Sequence, residues 1–360
     1  MNRLSINRPL VRSITLLACA LLLAPVPAQS YSAGLWLYEV EAPVAAQSQE
    51  ERQRVASLGL LQVLSRVTGL RSIPRNEVVT AALANPGRYY NEFVFFNQRD
   101  ELRREQPHLR IVFQRDAVLE LARSARLPIW WNRRPDVMLW VVVETQGRRQ
   151  ILDSNSTGEL VEAVRNHAER RGLPVILPLM DLDDRMTVSS GDVWGRVAAT
   201  LEQGARRYDA DLVLVGRLRA QAAGEDSFSY RGDWEVWQDG RPLVVPVEDS
   251  AAATAAAVGL DALADQLAER FTVLPRGIRR QQFAITGLRD VSGYAGLMTY
   301  LSSLDFIEGV SIASLQTDSL NLQLDTHAGD DQLIMMLTAE GRLQLDESYR
   351  GAGTGLVWRD

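Results

Sequence analysis

The chain contains no lysine: all 39 basic residues among its 360 are arginine. Chemistry that needs a primary amine goes with it, including a Schiff base, the lysine of a phosphate-binding loop, a kinase lysine and a Ser-x-x-Lys pair. Cysteine is nearly absent as well. The single one, Cys19, lies in the first apolar stretch. The three histidines (His108, His167 and His327) are far apart and have no neighbours at metal or triad spacing. A structural zinc site and a cysteine nucleophile are therefore excluded. Gly-x-Ser-x-Gly, His-Glu-x-x-His and Gly-x-Gly-x-x-Gly are missing too. Glycoside chemistry needs only two acids about 5–10 Å apart. Any chain with 45 acids passes that test, so passing means little. A hydrolase thus stays open, but no catalytic residue, metal or cofactor is expected.

What is present first is an address. Arg3, Arg8 and Arg12 form a positive region, and Ile14–Leu23 is a ten-residue apolar run, short for a membrane span. Val26-Pro27-Ala28 places small residues at a cleavage site, so residues 1–28 read as a signal peptide cut after Ala28. The alternatives are a membrane tether through lipidated Cys19 or an uncleaved signal. Cleavage removes three arginines and no acid, which moves the formal charge from −6 to −9. An acidic chain is a poor non-specific binder of nucleic acid or anionic membrane. No later apolar run is long enough to span a bilayer. The mature chain has no cysteine, so its stability must come from burial rather than disulfides.

Hydrophobic periodicity divides the mature chain into three modules of α/β and α+β type. The first, 29–127, reads β-α-α-β-β-α. Its first strand is expected over 35–41 and its long helix after the capping box Ser48-x-x-Glu51. The second, 128–275, reads as a three-layer α/β domain with an antiparallel hairpin. Val137–Val143 and Asp211–Gly216 are apolar runs of the kind that strands buried on both faces carry. A helix is expected from the capping box Ser156-x-x-Glu159 to Gly172, another from Asp192 to Tyr208, and a hairpin turn at Asp239-Gly240. The third, 279–346, reads β-α-β-β-α-β, a ferredoxin-like order. Pro275-Arg-Gly is the expected linker, and 347–360 is Gly-rich and reads as a flexible tail.

Three local compositions are candidates for binding. Asp181, Asp183 and Asp184 follow the short strand 173–177 and could hold a hard cation through oxygen. The simpler reading has them cap the next turn and pair with Arg185. Arg217 and Arg219 end the strand 211–216 and could grip a phosphate or carboxylate, or pair with nearby acids. Trp130, Trp131, Arg133 and Arg134 combine aromatics with guanidinium groups and could meet a sugar, a head group or a partner protein. Their bland alternative is packing at the junction of the first two modules.

The run Val40-x-x-Pro43-Val44, the helix end Val63-Leu64-x-x-Val67-x-Gly69, and Leu127-Pro128-x-Trp130 resemble the proteobacterial domain-of-unknown-function family numbered 2066. So do Leu177-Pro178-Leu179-Met180-Asp181, Val193-Trp194-Gly195 and Tyr208-x-Ala210-Asp211 with the strand after it. That resemblance implies an exported protein of Gram-negative bacteria and brings no activity. Asp192 to Leu218 also resembles the α/β module of TolB amino-terminal domains and curli-secretion lipoproteins, and the first module resembles the amino-terminal domain of flagellar outer-ring proteins. These imply docking to envelope partners. The expectation is a periplasmic, non-catalytic protein that binds another envelope protein or itself. The alternative is a small-ligand or cell-wall-binding protein, with Asp181, Asp183, Arg217 and Arg219 converging in one cleft at the carboxyl ends of the middle strands.

Overall fold

Ser48 begins the first helix as its spacing predicts. Its hydroxyl accepts from the Glu51 N–H at 3.1 Å, and the helix ends at Gly69 in the left-handed region, φ 72°. The computed structural model describes residues 34–99, 105–130, 134–224, 227–237, 242–275, 277–304, 306–316, 319–351 and 353–359. Of the amino-terminal unit Met1–Leu35, Gly34 and Leu35 are described; Trp36–Asp360 forms the second unit. The signal peptide and Cys19 lie outside the described residues.

The first module contains β1 (Glu39–Pro43), α1 (Gln49–Thr68), α2 (Glu77–Ala84), β2 (Tyr90–Arg99), β3 (Glu105–Phe113) and α3 (Arg115–Ser124). The order is the expected one, and the strands form a sheet β1-β3-β2. The expected strand at 35 starts only at 39. Leu35–Tyr38 is a 3-10 turn. Its cause is Arg66 on α1, whose Nη1 donates to the carbonyls of Trp36 (3.2 Å), Leu37 (3.2 Å) and Glu39 (2.6 Å). The carbonyls of Trp36 and Leu37 turn to this guanidinium, and the ladder begins at Glu39.

The second module contains β4 (Ile129–Trp130), β5 (Val137–Thr145), β6 (Arg148–Ile151), α4 (Glu159–Arg171), β7 (Val175–Ile176), α5 (Leu182–Thr187), α6 (Ser190–Gly195), α7 (Ala198–Arg206), β8 (Leu212–Ala222), β9 (Phe228–Trp237), β10 (Leu243–Ser250), α8 (Ala252–Phe271) and β11 (Thr272–Val273). The sheet runs β10-β9-β8-β5-β6, with β7 beside the first residues of β5. Helices α4 and α8 cover one face through Leu160, Val164, Leu260 and Leu263. The other face packs Met138, Trp140 and Val215 under α6 and α7 through Val193 and Leu201. These two covers explain the apolar runs of β5 and β8. β9 and β10 pair as expected; the Asp239-Gly240 turn lies outside the described residues.

Two expectations in this module need correction. Ser156 does not cap α4. Its hydroxyl donates to Asp153 at 2.8 Å, and the helix begins after Gly158 with no side-chain cap. The helix expected over 192–208 is two helices. It breaks at Arg196, which takes φ 55° so that its guanidinium reaches Asp233 and Glu235 on β9. The strand β6, hairpinned to β5, was not foreseen.

The third module contains β12 (Arg279–Thr286), α9 (Val291–Ser303), β13 (Ile307–Leu315), β14 (Leu320–Thr326), α10 (Asp330–Thr338), β15 (Leu343–Leu345) and β16 (Thr354–Trp358). β14 lies between β12 and β13, which is the split βαβ core. The segment expected as a flexible tail is instead a central strand. β16 runs parallel to β12 and separates it from β15. Burial of Leu356 and Trp358 holds it there.

The modules are bound to one another. One apolar cluster includes Leu60 and Ile111 of the first and Phe283 and Leu322 of the third. Between the first and second, the Arg66 side chain is fully buried and also donates to the Glu169 carbonyl and carboxylate, both at 2.8 Å. Arg171 of α4 returns the contact, donating to the Gly69 carbonyl (3.0 Å) and to Asp261 and Asp265 of α8. Gly69 cannot be another residue here. Beyond its positive φ, an added Cβ would sit 2.5 Å from that of Ala268.

Candidate functional site

The three aspartates do not form a cation cage. Asp181 caps α5, accepting from the Asp184 N–H at 3.1 Å. Arg207, just past the end of α7, donates to Asp181 (2.6 Å to each oxygen) and to Asp184 (2.7 Å). The Met180 N–H also donates to Asp184, at 2.8 Å. The Tyr208 hydroxyl completes the set on Asp184. Arg207 holds the Asp181 carboxyl well below the usual carboxylate range. Burial, followed by the bond to Asp184, pushes the Tyr208 hydroxyl up to about 12. Asp183 is exposed and stands apart from this knot. The partner of these acids is thus Arg207, where Arg185 was expected. Among the described residues, no three His, Cys, Asp or Glu side chains gather as a metal site.

Arg217 and Arg219 share one face of β8, as alternation requires. Arg217 faces Asp233 across the β8–β9 ladder and donates to it at 2.9 and 3.2 Å, and to the Trp194 carbonyl at 3.1 Å. Arg219 faces Glu144 on β5 and bonds it at 3.2 Å, while Arg149 bonds the other oxygen at 2.8 Å. Arg149 and Arg219 also lie 4.1 and 5.0 Å from the centroid of the Trp194 ring. The expected convergence of Asp181, Asp183, Arg217 and Arg219 is therefore not found. The acids and the arginines belong to two clusters with separate partners.

Trp130 and Arg134 are interior. Trp130 lies in β4, which pairs with β11, and Arg134 stacks on its ring at 3.4 Å. The Arg134 guanidinium also donates to the Arg66 carbonyl. Burial lowers its pKa to about 9. Neither side chain can meet a partner without opening the junction, so Trp130 and Arg134 are packing elements. Trp131 and Arg133 lie outside the described residues.

Two features escaped sequence reasoning. One is a cleft of about 890 Å³ at the carboxyl end of β5. It is bounded by Val143 and Thr145 of β5, Gln150 of β6, Phe228 and Tyr230 of β9, and the amino end of α4. Its residues come from four elements with no shared spacing, so no motif could reveal them. The other is the free edge of β2. That strand pairs only with β3 among the described residues, and it exposes Phe93 and Val94, at 39% and 48%. The signal for it was present in the run Phe93-Val94-Phe95-Phe96, which is apolar without alternation.

Residues 35–131 match a family described only as a domain of unknown function, DUF8605. The match covers the first module and β4 of the second, and leaves the rest of the chain aside. No curated protein matches the chain. Among solved structures, the chain is similar to formyltetrahydrofolate deformylase from Burkholderia mallei, at 14% identity and a TM-score of 0.16, over 67% of this chain and 95% of that one.

Proposed function

We propose that this is an exported, periplasmic protein of the Gram-negative envelope that works by docking to another protein, and that the docking edge is β2. The observation that carries this reading is the state of that edge. β2 is ten residues long and exposed on both faces for most of its length. Beyond Pro43, where β1 ends, β2 and β3 continue as a two-stranded arm from Asn97 opposite Pro107 to Arg99 opposite Glu105. Proteins blunt free edges with charge, proline or a bulge, because an open ladder recruits other strands. The run Phe93–Phe96 has no charge and no proline, and the one register shift of β2 lies at its start, between Tyr90 and Glu92. Phe93 and Phe95 pack edge to face at 6.0 Å, with Arg52 over Phe93 at 4.5 Å. An extended partner segment would take up the free backbone groups and lay alternate side chains on these rings. The amino-terminal charge pattern and the Val26-Pro27-Ala28 sequence support export.

The test is a charge on the edge. Val94→Lys, expressed with a tag at the carboxyl end, should leave the melting temperature unchanged, because Val94 packs against nothing interior. It should abolish the larger complex that the native protein forms in mild envelope extracts. A complex that survives the charge, or a native protein that is always monomeric, would refute the reading.

A further inference from the structure

We propose that the cleft at the carboxyl end of β5 binds a neutral, hydroxyl-rich ligand, namely a hexose or N-acetylhexosamine unit of a glycan. The place follows from the topology. The chain leaves β5 through the β6 hairpin and α4 to β7 on one side, then crosses through α5–α7 to β8 on the other, with α4 on one face of the sheet and α6 and α7 on the other. Open α/β sheets place their ligand crevices at such switch points, beyond the carboxyl ends of the strands. The sheet outruns its cover here. β5 continues to Thr145 and β9 begins at Phe228, so the floor projects past the first residues of α4. The volume, about 890 Å³, lies within the range of small-molecule sites and has room for a disaccharide.

The chemistry of the walls selects the ligand class. Gln146, Gln150 and Asn155 each offer an amide that both donates and accepts, and Thr157 adds a hydroxyl. None of these side chains, nor the Glu159 carboxylate, has a hydrogen-bond partner among the described residues. Asp153 is different, since it already holds Ser156 and the Asn155 N–H. Among the described residues of the lining, Arg148 is the one cation, against Asp153 and Glu159, which leaves one net negative charge there and disfavours an anion. Phe228 and Tyr230 stand two residues apart on one face of β9, and Phe228 is 41% exposed. Tyr230 is buried in the core behind it, so Phe228 supplies the apolar wall, and one exposed ring among these amides suits a pyranose, which is apolar on one face and ringed with hydroxyls at its edge.

The experiment is an NMR titration of the isotope-labelled mature chain with chitobiose, maltose, cellobiose and lactose, alongside inorganic phosphate. At least one disaccharide should shift the amide signals of residues 145–161 and 228–230 along a saturating curve. Phe228→Ala and Asn155→Ala, both at exposed positions, should each weaken that binding about fivefold or more while the melting temperature holds. No response to any of the four sugars overturns the proposal. So does an affinity unchanged by Phe228→Ala, or a response to phosphate alone. None of these results bears on the β2 edge.

Discussion

Arg66 offers the sharpest test of how the first two modules are joined. Its side chain is fully buried, and burial pulls its pKa down against the raising effect of Glu169. A buried ion pair is often replaceable by well-packed apolar groups at little cost. This one is not, because its acceptors are mostly backbone. The carbonyls of Trp36, Leu37, Glu39 and Glu169 all receive its N–H groups. No substitution removes a carbonyl. Arg66→Met fills much of the volume but takes this donor from the carbonyls of Trp36, Leu37 and Glu39, while the Glu169 carbonyl keeps the Gly172 N–H. An unsatisfied buried polar group costs about 1–3 kcal/mol. Some will find other partners on relaxation, so the net loss should be about 3–5 kcal/mol. That is a large share of a typical stability of about 5–15 kcal/mol. At about 1–2 °C per kcal/mol for a chain of this size, the melting temperature should fall by roughly 5 °C. Arg66→Lys keeps the charge but loses the planar fork and should fall in between. Chemical denaturation followed by circular dichroism measures all three proteins. A loss below about 1 kcal/mol for Arg66→Met would refute the reasoning, since the carbonyls would then be satisfied without the guanidinium.

Three further outcomes follow from the packing. Gly259→Ala in α8 would ordinarily strengthen a helix by about 1 kcal/mol. Here the new Cβ would lie 2.3 Å from the indole of Trp234, which is fully buried and anchored to the Ala255 carbonyl at 2.8 Å, so the variant should instead lose about 1–3 kcal/mol; a stabilised variant would contradict this. Asp181 has its pKa lowered by Arg207, so its contribution is complete above its unfolded value of about 4 and is lost as pH falls through the lower folded value. Denaturation midpoints for Asp181→Asn should accordingly be lower than native above pH about 4 and flatter below it, and parallel curves would count against the ion pair. Deleting Thr354–Trp358 should unfold the third module and make residues 279–345 sensitive to protease, because it removes the strand between β12 and β15; a resistant fragment would show that β16 is dispensable.

The legible parts of the fold were those where one local signal agreed with tertiary packing. Val137–Val142 and Val213–Val215 read as strands because both faces of the sheet are covered. The Ser48 cap was legible because nothing competes for its hydroxyl. Ser156 offered the same pattern, but Asp153, three residues back, claims that hydroxyl and moves the helix start to Gly158. The break at Arg196 depends on Asp233 and Glu235, nearly forty residues away, so no local pattern could mark it. β16 was obscured by the glycines before it, and only its place beside β12 explains its order. The arginines misled in a consistent way. Arg134, Arg207 and Arg217 are held by carbonyls and acids of the fold, and sequence alone does not distinguish such a cation from one waiting for a ligand. The cleft beyond β5 was invisible because its polar residues belong to a turn, a loop, three strands and the first residue of α4.

The central claim, that β2 is where another protein adds itself, is tested most directly by photo-crosslinking in living cells from each position of Phe93 to Gln98. One envelope partner should be captured with a two-residue alternation, strong from one face of the strand and weak from the other, as a paired strand requires. Crosslinks without periodicity, or none at any of the six positions in cells that make the protein, would contradict it.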